Sequence, residues 1–209
     1  MQTVLVSDII KEVKIILDEN IVDDAVLTAD ANQLQLLDLI KSRIIDAVRS
    51  IHEAAPSELL DDGLTIPGAT VTLQDGSGYI TLPDDFRRLV IFQLATWSRP
   101  VVVPISDTDP KYFMQKSRFL GIRGGTDKPV CAITTGASCR ILEFYSIAPG
   151  TTASVVKAKY LPLPSISNDS IQVCKKLYRP ILYECAGLVA LTYKDEVAKS
   201  FFEVAKSYL

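Results

Sequence analysis

Side-chain hydrolysis or group transfer needs a base beside a nucleophile, and this chain has one histidine, His52, to serve as that base. It stands one position after the core-facing Ile51, near the end of a long helical periodicity, and no Gly-x-Ser-x-Gly elbow occurs in the chain. That context predicts an ordinary helix-surface residue, not a general base. The four cysteines, Cys131, Cys139, Cys174 and Cys185, form no Cys-x2-Cys pair and sit among apolar neighbours. Neither a zinc site nor a dense disulfide framework fits, so free thiols used in packing are expected. Acidic pairs at Asp61-Asp62, Asp84-Asp85 and Asp107/Asp109 lack EF-hand spacing and read as turn and cap residues. Gly121-Ile122-Arg123-Gly124-Gly125 is glycine-rich and basic, but it has neither the Gly-Lys-Ser/Thr ending of a P-loop nor a dinucleotide fingerprint. It reads as a loop. No catalytic residue, metal ligand or cofactor site is expected.

One stretch has the composition of a nucleic-acid surface. Lys111, Lys116, Arg118 and Arg123 alternate with Tyr112, Phe113 and Phe119. A half-buried amphipathic helix has the same composition, so Arg118 and Arg123 stand as candidates for a loop contact with DNA beside that plainer reading. The net charge of -3 names no partner. Its distribution says more: residues 1–60 hold 5 Lys+Arg against 11 Asp+Glu, whereas residues 61–163 hold 11 against 9. The acidic block is either a solvated helix face or a surface that meets a basic partner or repels DNA.

These residues must be positioned by a chain of 209 residues, 48% hydrophobic and 22% charged, enough to bury a core. No apolar run is long enough to span a bilayer, and the start lacks the pattern of a signal peptide, so folding in a cytoplasm is the default expectation. Ile9, Val13, Ile16 and Leu17 share a face over 7–19. Asp30 and Gln33 suggest a capping box for a helix over 30–54 whose face carries Leu34, Leu37, Ile40, Ile44, Val48 and Ile51, with Pro56 just beyond its end. From Gly63 the pattern becomes β-rich: Ala69–Gln74 and Tyr79–Leu82 flank an Asp75-Gly76-Ser77-Gly78 turn, followed by runs at 89–97, 101–103, 130–134, 140–145 and 154–160. One helical insert is expected at 110–119. Helical spacing returns over 174–193, where Pro180 either kinks or opens the helix, and over 195–208, burying Val197, Phe201, Val204 and Tyr208.

The fold class that follows is α+β. A helical bundle of the N- and C-terminal segments, 1–62 and 165–209, carries an inserted, mainly antiparallel β-domain over 63–164, a small sandwich or barrel.

The segment Gly78-Tyr79-Ile80-Thr81-Leu82-Pro83-Asp84-Asp85-Phe86-Arg87-Arg88-Leu89 is a strand stopped by proline, an acidic turn, and a phenylalanine able to tuck beneath the sheet. Together with the exit from the long helix at Ile51 to Pro56, the run Tyr160-Leu161-Pro162-Leu163-Pro164 and the closing helix pair, it resembles the head-to-tail adaptor proteins of tailed bacteriophages across nearly the whole chain. That resemblance implies a non-enzymatic virion subunit of the neck or tail, made in the host bacterial cytoplasm. It further implies a ring, often dodecameric, that joins the portal protein to the next tail or neck protein and extends the DNA channel. No membrane or small-molecule partner is implied. Some family members carry a long extension after the last helix, whereas this sequence stops at Leu209. The alternatives are an α+β ligand-binding module and an enzyme with an unfamiliar site around Asp107 and Asp109.

The last helix bears on assembly. Phe201, Phe202, Tyr208 and Leu209 crowd it with more apolar surface than one helix face buries, so they are the candidate contacts between copies, with packing inside the bundle as the competing reading.

Overall fold

A computed structural model describes residues 1–17, 31–60, 63–74, 77–136, 139–147 and 152–209. The expected capping residue Asp30, the link through Asp23 and Asp24, and the Asp61-Asp62 pair lie outside these. The chain divides into two compact units, Met1–Asp62 with Leu163–Leu209, and Gly63–Pro162. The class is α+β, with helices and open, mainly antiparallel sheets.

The first unit is built on helices α1 (Val6–Ile16), α2 (Ala31–Ala54), α5 (Tyr178–Thr192) and α6 (Ala198–Ser207). Along α2 the predicted stripe is buried at Ile40, Ile44, Val48 and Ile51. Pro56 follows two residues after its end. Helix α5 is buried on nearly every side, through Ile181, Leu182, Cys185, Ala186, Val189 and Ala190, because α1, α2 and α6 all pack against it. Pro180 is its third residue, where the missing N–H has no intrahelical acceptor to lose. Before it, Lys175–Leu177 form a 3-10 turn, so the helix expected from residue 174 starts four residues later.

This unit also contains a sheet that the periodicity did not announce. Strand β1 (Gln2–Leu5) pairs antiparallel with β11 (Ser170–Val173), which pairs with β10 (Ile166–Ser167). The turn between β10 and β11 is Asn168-Asp169, with φ of 50° and 53°. Two successive left-handed residues make the tight hairpin turn whose hand matches strand twist, and Asn and Asp tolerate that conformation best after glycine.

The second unit holds two sheets. In one, β9 (Val155–Pro162) lies between β2 (Leu64–Thr65) and β5 (Phe86–Leu94). The other runs β3 (Thr72–Gln74), β4 (Ser77–Thr81), β8 (Arg140–Phe144), β7 (Ala132–Thr135), β6 (Ile105–Ser106), all antiparallel but for the last pair. Thr72–Gln74 and Ser77–Thr81 thus pair as the hairpin expected there, although Ser77 and Gly78, expected in its turn, belong to β4; Asp75 and Gly76 lie outside the described residues. Both sheets are open, so the unit is not a closed barrel, and they share one core centred on Phe92, Trp97 and Phe144. These rings meet with centroids 5.4–5.5 Å apart, two of the three pairs edge-on as aromatic quadrupoles prefer. Trp97 donates its indole N–H to the Ser146 carbonyl.

Two local expectations change. Of residues 101–103 only Val101 bridges to a strand, at Phe92. The insert expected at 110–119 is helical only as α3 (Pro110–Gln115), and a second short helix, α4 (Leu120–Arg123), follows it and takes in Gly121 to Arg123 of the stretch read as a loop. Asp109 Oδ1 caps α3 by accepting from Lys111 N at 2.8 Å, and Pro110 opens it, as the cap reading of the Asp107/Asp109 pair requires.

Candidate assembly surfaces

His52 is not a surface residue. It is 3% exposed, and its Nε2 accepts the backbone N–H of Cys174 at 3.4 Å. That N–H is the donor at the start of the 3-10 turn before α5, so the imidazole ties α2 to the entry of α5. The position follows from the spacing: Val48, Ile51 and Ala55 are all buried, and His52 lies one turn beyond Val48 on the same widened stripe. Its role here is packing and capping. Cys131, Cys174 and Cys185 are buried free thiols and Cys139 is a partly exposed one. Burial raises the pKa of Cys131 well above its ordinary value and that of Cys185 to about 12, which keeps both protonated and unreactive. Among the described residues no three His, Cys, Asp or Glu side chains converge as metal ligands.

The two motifs that carried the adaptor resemblance meet in space. Tyr160 donates its hydroxyl to Asp85, at 3.0 and 3.2 Å from the two carboxylate oxygens, and stacks on Phe86 with centroids 5.8 Å apart. Arg140 covers the other part of this cluster, 5.2 Å from the Phe86 ring, and donates to the Phe86 carbonyl at 3.1 Å. Pro83 stops the strand pairing, Asp85 and Phe86 turn back, and the tyrosine of the second motif receives them. Burial, then the hydrogen bond to Asp85, pushes the Tyr160 pKa up to about 12. This constellation is a structural clamp between sheets.

A second carboxylate clamp roots α3. Tyr112 donates to Glu143 Oε2 and Tyr145 to Glu143 Oε1, both at 2.8 Å. Both phenols are held neutral, by burial first and then by the bond to Glu143, with Tyr112 raised to about 12. Beyond this root the α3–α4 arm is unusual. Phe113 is 67% exposed and Phe119 72%, and Met114 and Ile122 are also more than half exposed. Arg118 is exposed in the turn between the two helices, and Arg123, the last residue of α4, is half-buried. The amphipathic-helix reading of this stretch therefore holds at half-buried Tyr112 and fails at Phe113 and Phe119, which face solvent.

At the other end of the chain, α6 packs on α5 through a close contact. The Phe202 ring covers Gly187, where an added Cβ would come within 2.7 Å of it. Phe201, Phe202, Val204 and Leu209 are half-buried, while Val197 and Tyr208, expected inside, are exposed. Tyr208 stacks on Tyr183 with centroids 6.0 Å apart. Leu191, Tyr193 and Val197 extend this exposed apolar surface around the α5–α6 turn.

The side chains that folding leaves exposed are thus apolar and cationic ones beside hydrogen-bonded polar clamps. The chain belongs to the SU10 adaptor protein family, whose model matches residues 5–206. These are phage head–tail adaptors, so the protein is a structural component of the virion that interacts with other head and tail proteins. No curated protein sequence matches the chain. No helix among the described residues is long and apolar enough to cross a membrane.

Proposed function

We propose that this adaptor forms a closed homo-oligomeric ring in the phage neck, joining the portal to the tail and extending the DNA channel. The observation that supports it is the exposed apolar surface: Phe113, Met114, Phe119 and Ile122 on one unit, and Leu191, Tyr193, Val197 and Tyr208 on the other. Contiguous apolar surface of this kind marks sites that another protein covers. Ring contacts are heterologous, one patch meeting a different patch, and the rotation between copies must close. Phe201, Phe202, Tyr208 and Leu209 stay the proposed contacts on the last helix; Tyr208 is the exposed one of the four, and Phe202, offered as a helix-end aromatic anchor, is half-buried over Gly187. Some carboxylates of the acidic first 60 residues, other than those meeting a neighbouring copy, would face the DNA path, where like charge limits sticking; screening over about 8 Å confines that effect to residues near the channel.

The test is electron microscopy of the purified protein, alone and mixed with its portal protein. Closed rings, free or seated on the portal and with twelve copies as the family expectation, are the predicted result. A protein that stays monomeric in both preparations would overturn the ring.

A further inference from the structure

Two surfaces that folding leaves uncovered are complementary to each other. The α3–α4 arm presents Phe113, Met114, Phe119 and Ile122 to solvent together with exposed Lys111, Lys116 and Arg118, and residues 110–123 contain no acidic side chain. The other surface lies on α1. Asp8, Glu12 and Ile15 fall four and three positions apart on one face of that helix, and Leu5, the last residue of β1, stands just before its first turn. Leu5 and Ile15 are each about half exposed, and Asp8 and Glu12 are exposed between them. This face borders a groove of about 530 Å³ lined by Leu5, Asp8, Lys11, Glu12, Ile15 and Tyr178. Tyr178 donates its hydroxyl to Glu12 Oε1 at 3.1 Å, which fixes that carboxylate at the groove wall.

We propose that the α3–α4 arm of one copy seats in the α1 groove of the next copy, an inference that rests on the ring reading and names its contact. The apolar residues of the arm match the apolar ends of the groove, and its cations match the two carboxylates between, which outnumber the single ammonium of Lys11. The groove has room for more than one side chain of the size of Phe119 or Ile122. Arm and groove are different patches of one chain, so each copy gives one and receives one, as a closed ring requires. The Tyr112–Glu143–Tyr145 clamp holds the root of the arm, which reduces the ordering cost of docking. A DNA groove would use the cations but leave Met114 and Ile122 in water.

Charge reversal separates the possibilities. One variant carries Lys116→Glu and Arg118→Glu on the arm, and a second carries Asp8→Lys and Glu12→Lys in the groove. A third, Asp8→Lys alone, leaves the Glu12–Tyr178 bond in place. Melting curves matching the wild type establish that each still folds; a variant that does not is replaced by its single-site form. Assembly is read by sedimentation and electron microscopy, with the portal as template where the wild type needs one. Each reversed variant alone should need about tenfold or more higher concentration to assemble, and mixing the arm-reversed with the groove-reversed chain should restore assembly. Arm or groove variants that form rings like the wild type overturn this contact and leave the ring standing. The same result combined with a lost mobility shift on duplex DNA assigns the arm to DNA instead. Mixed variants that associate only into open chains keep the contact and overturn the ring, while a wild type that is monomeric even with the portal overturns both.

Discussion

Tyr160 shows how a single side chain links the two sequence motifs of this fold. Its hydroxyl bonds the Asp85 carboxylate and its ring stacks on Phe86, so Tyr160→Phe removes the bond and keeps the stack. Asp85 is exposed and water can take over part of the bond, so the loss should be about 1 kcal/mol, below the roughly 1.5–3 kcal/mol of a hydrogen bond to a charge. The pH dependence carries a clear sign. The folded protein holds this phenol at about 12 against an ordinary 10.0, so above pH 10 the unfolded chain releases a proton that the folded one keeps. The stability contributed by Tyr160 is therefore whole below pH 10 and is lost as pH rises through 12. Tyr112, raised to about 12 by burial and Glu143, acts in the same window. Urea melts at pH 8 and pH 11 should show a smaller alkaline loss in Tyr160→Phe than in the wild type. An equal loss in the two proteins would refute the coupling.

At the level of elements, legibility followed the range of the interactions. The stripes of α2 and α5 and the hairpin at 72–81 were readable because their signals are local: apolar spacing, a proline stop, a glycine turn. The β1–β11–β10 sheet was not announced, since β1 pairs with residues more than 160 positions away and short strands carry little periodicity of their own. Asn168-Asp169 between Ile166-Ser167 and Ser170-Ile171 was nonetheless a usable hairpin signal. Among the candidate contacts, the exposure of Phe113 and Phe119 could not be read from composition, because a buried amphipathic helix and an exposed arm share the same residue types. The burial of His52 was legible in its place one turn beyond Val48, whereas the backbone it serves, Cys174, is distant in sequence and was not. The α5–α6 pair gives a prediction at this scale. Gly187 is required by the approach of the Phe202 ring, so Gly187→Ala must displace that ring and should cost about 1–3 kcal/mol. The same melting measurement on Tyr208→Ser, an exposed site, should show little change. Equal melting of Gly187→Ala and wild type would show that α6 can shift freely on α5.

On the scale of the whole molecule, the β-rich unit begins and ends at one place. Leu64 pairs with Tyr160 and Thr65 with Lys159, so the chain enters and leaves residues 63–162 through neighbouring strands β2 and β9. Gly63 sits where this junction is tightest, since a Cβ there would come within 2.7 Å of Val90 and 2.9 Å of the Tyr160 carbonyl. A segment with adjoining ends and its own hydrophobic cluster needs little from the rest of the chain to stay folded. We propose that residues 63–162 are an insertion that folds independently, and that the helical unit closes when residue 62 is joined to residue 163 by a short glycine-rich link. Trp97 reports on the first part without ambiguity: it is the one tryptophan of the chain, it is buried, and it contacts both Phe92 and Phe144. The isolated segment should therefore keep the near-ultraviolet circular dichroism of a fixed indole and lose it in one cooperative step on heating. A fragment with strand content in the far ultraviolet but no fixed indole signal would mean that the aromatic core needs the helical unit. In that case the two units would have to fold together, and the insertion would be one of sequence only.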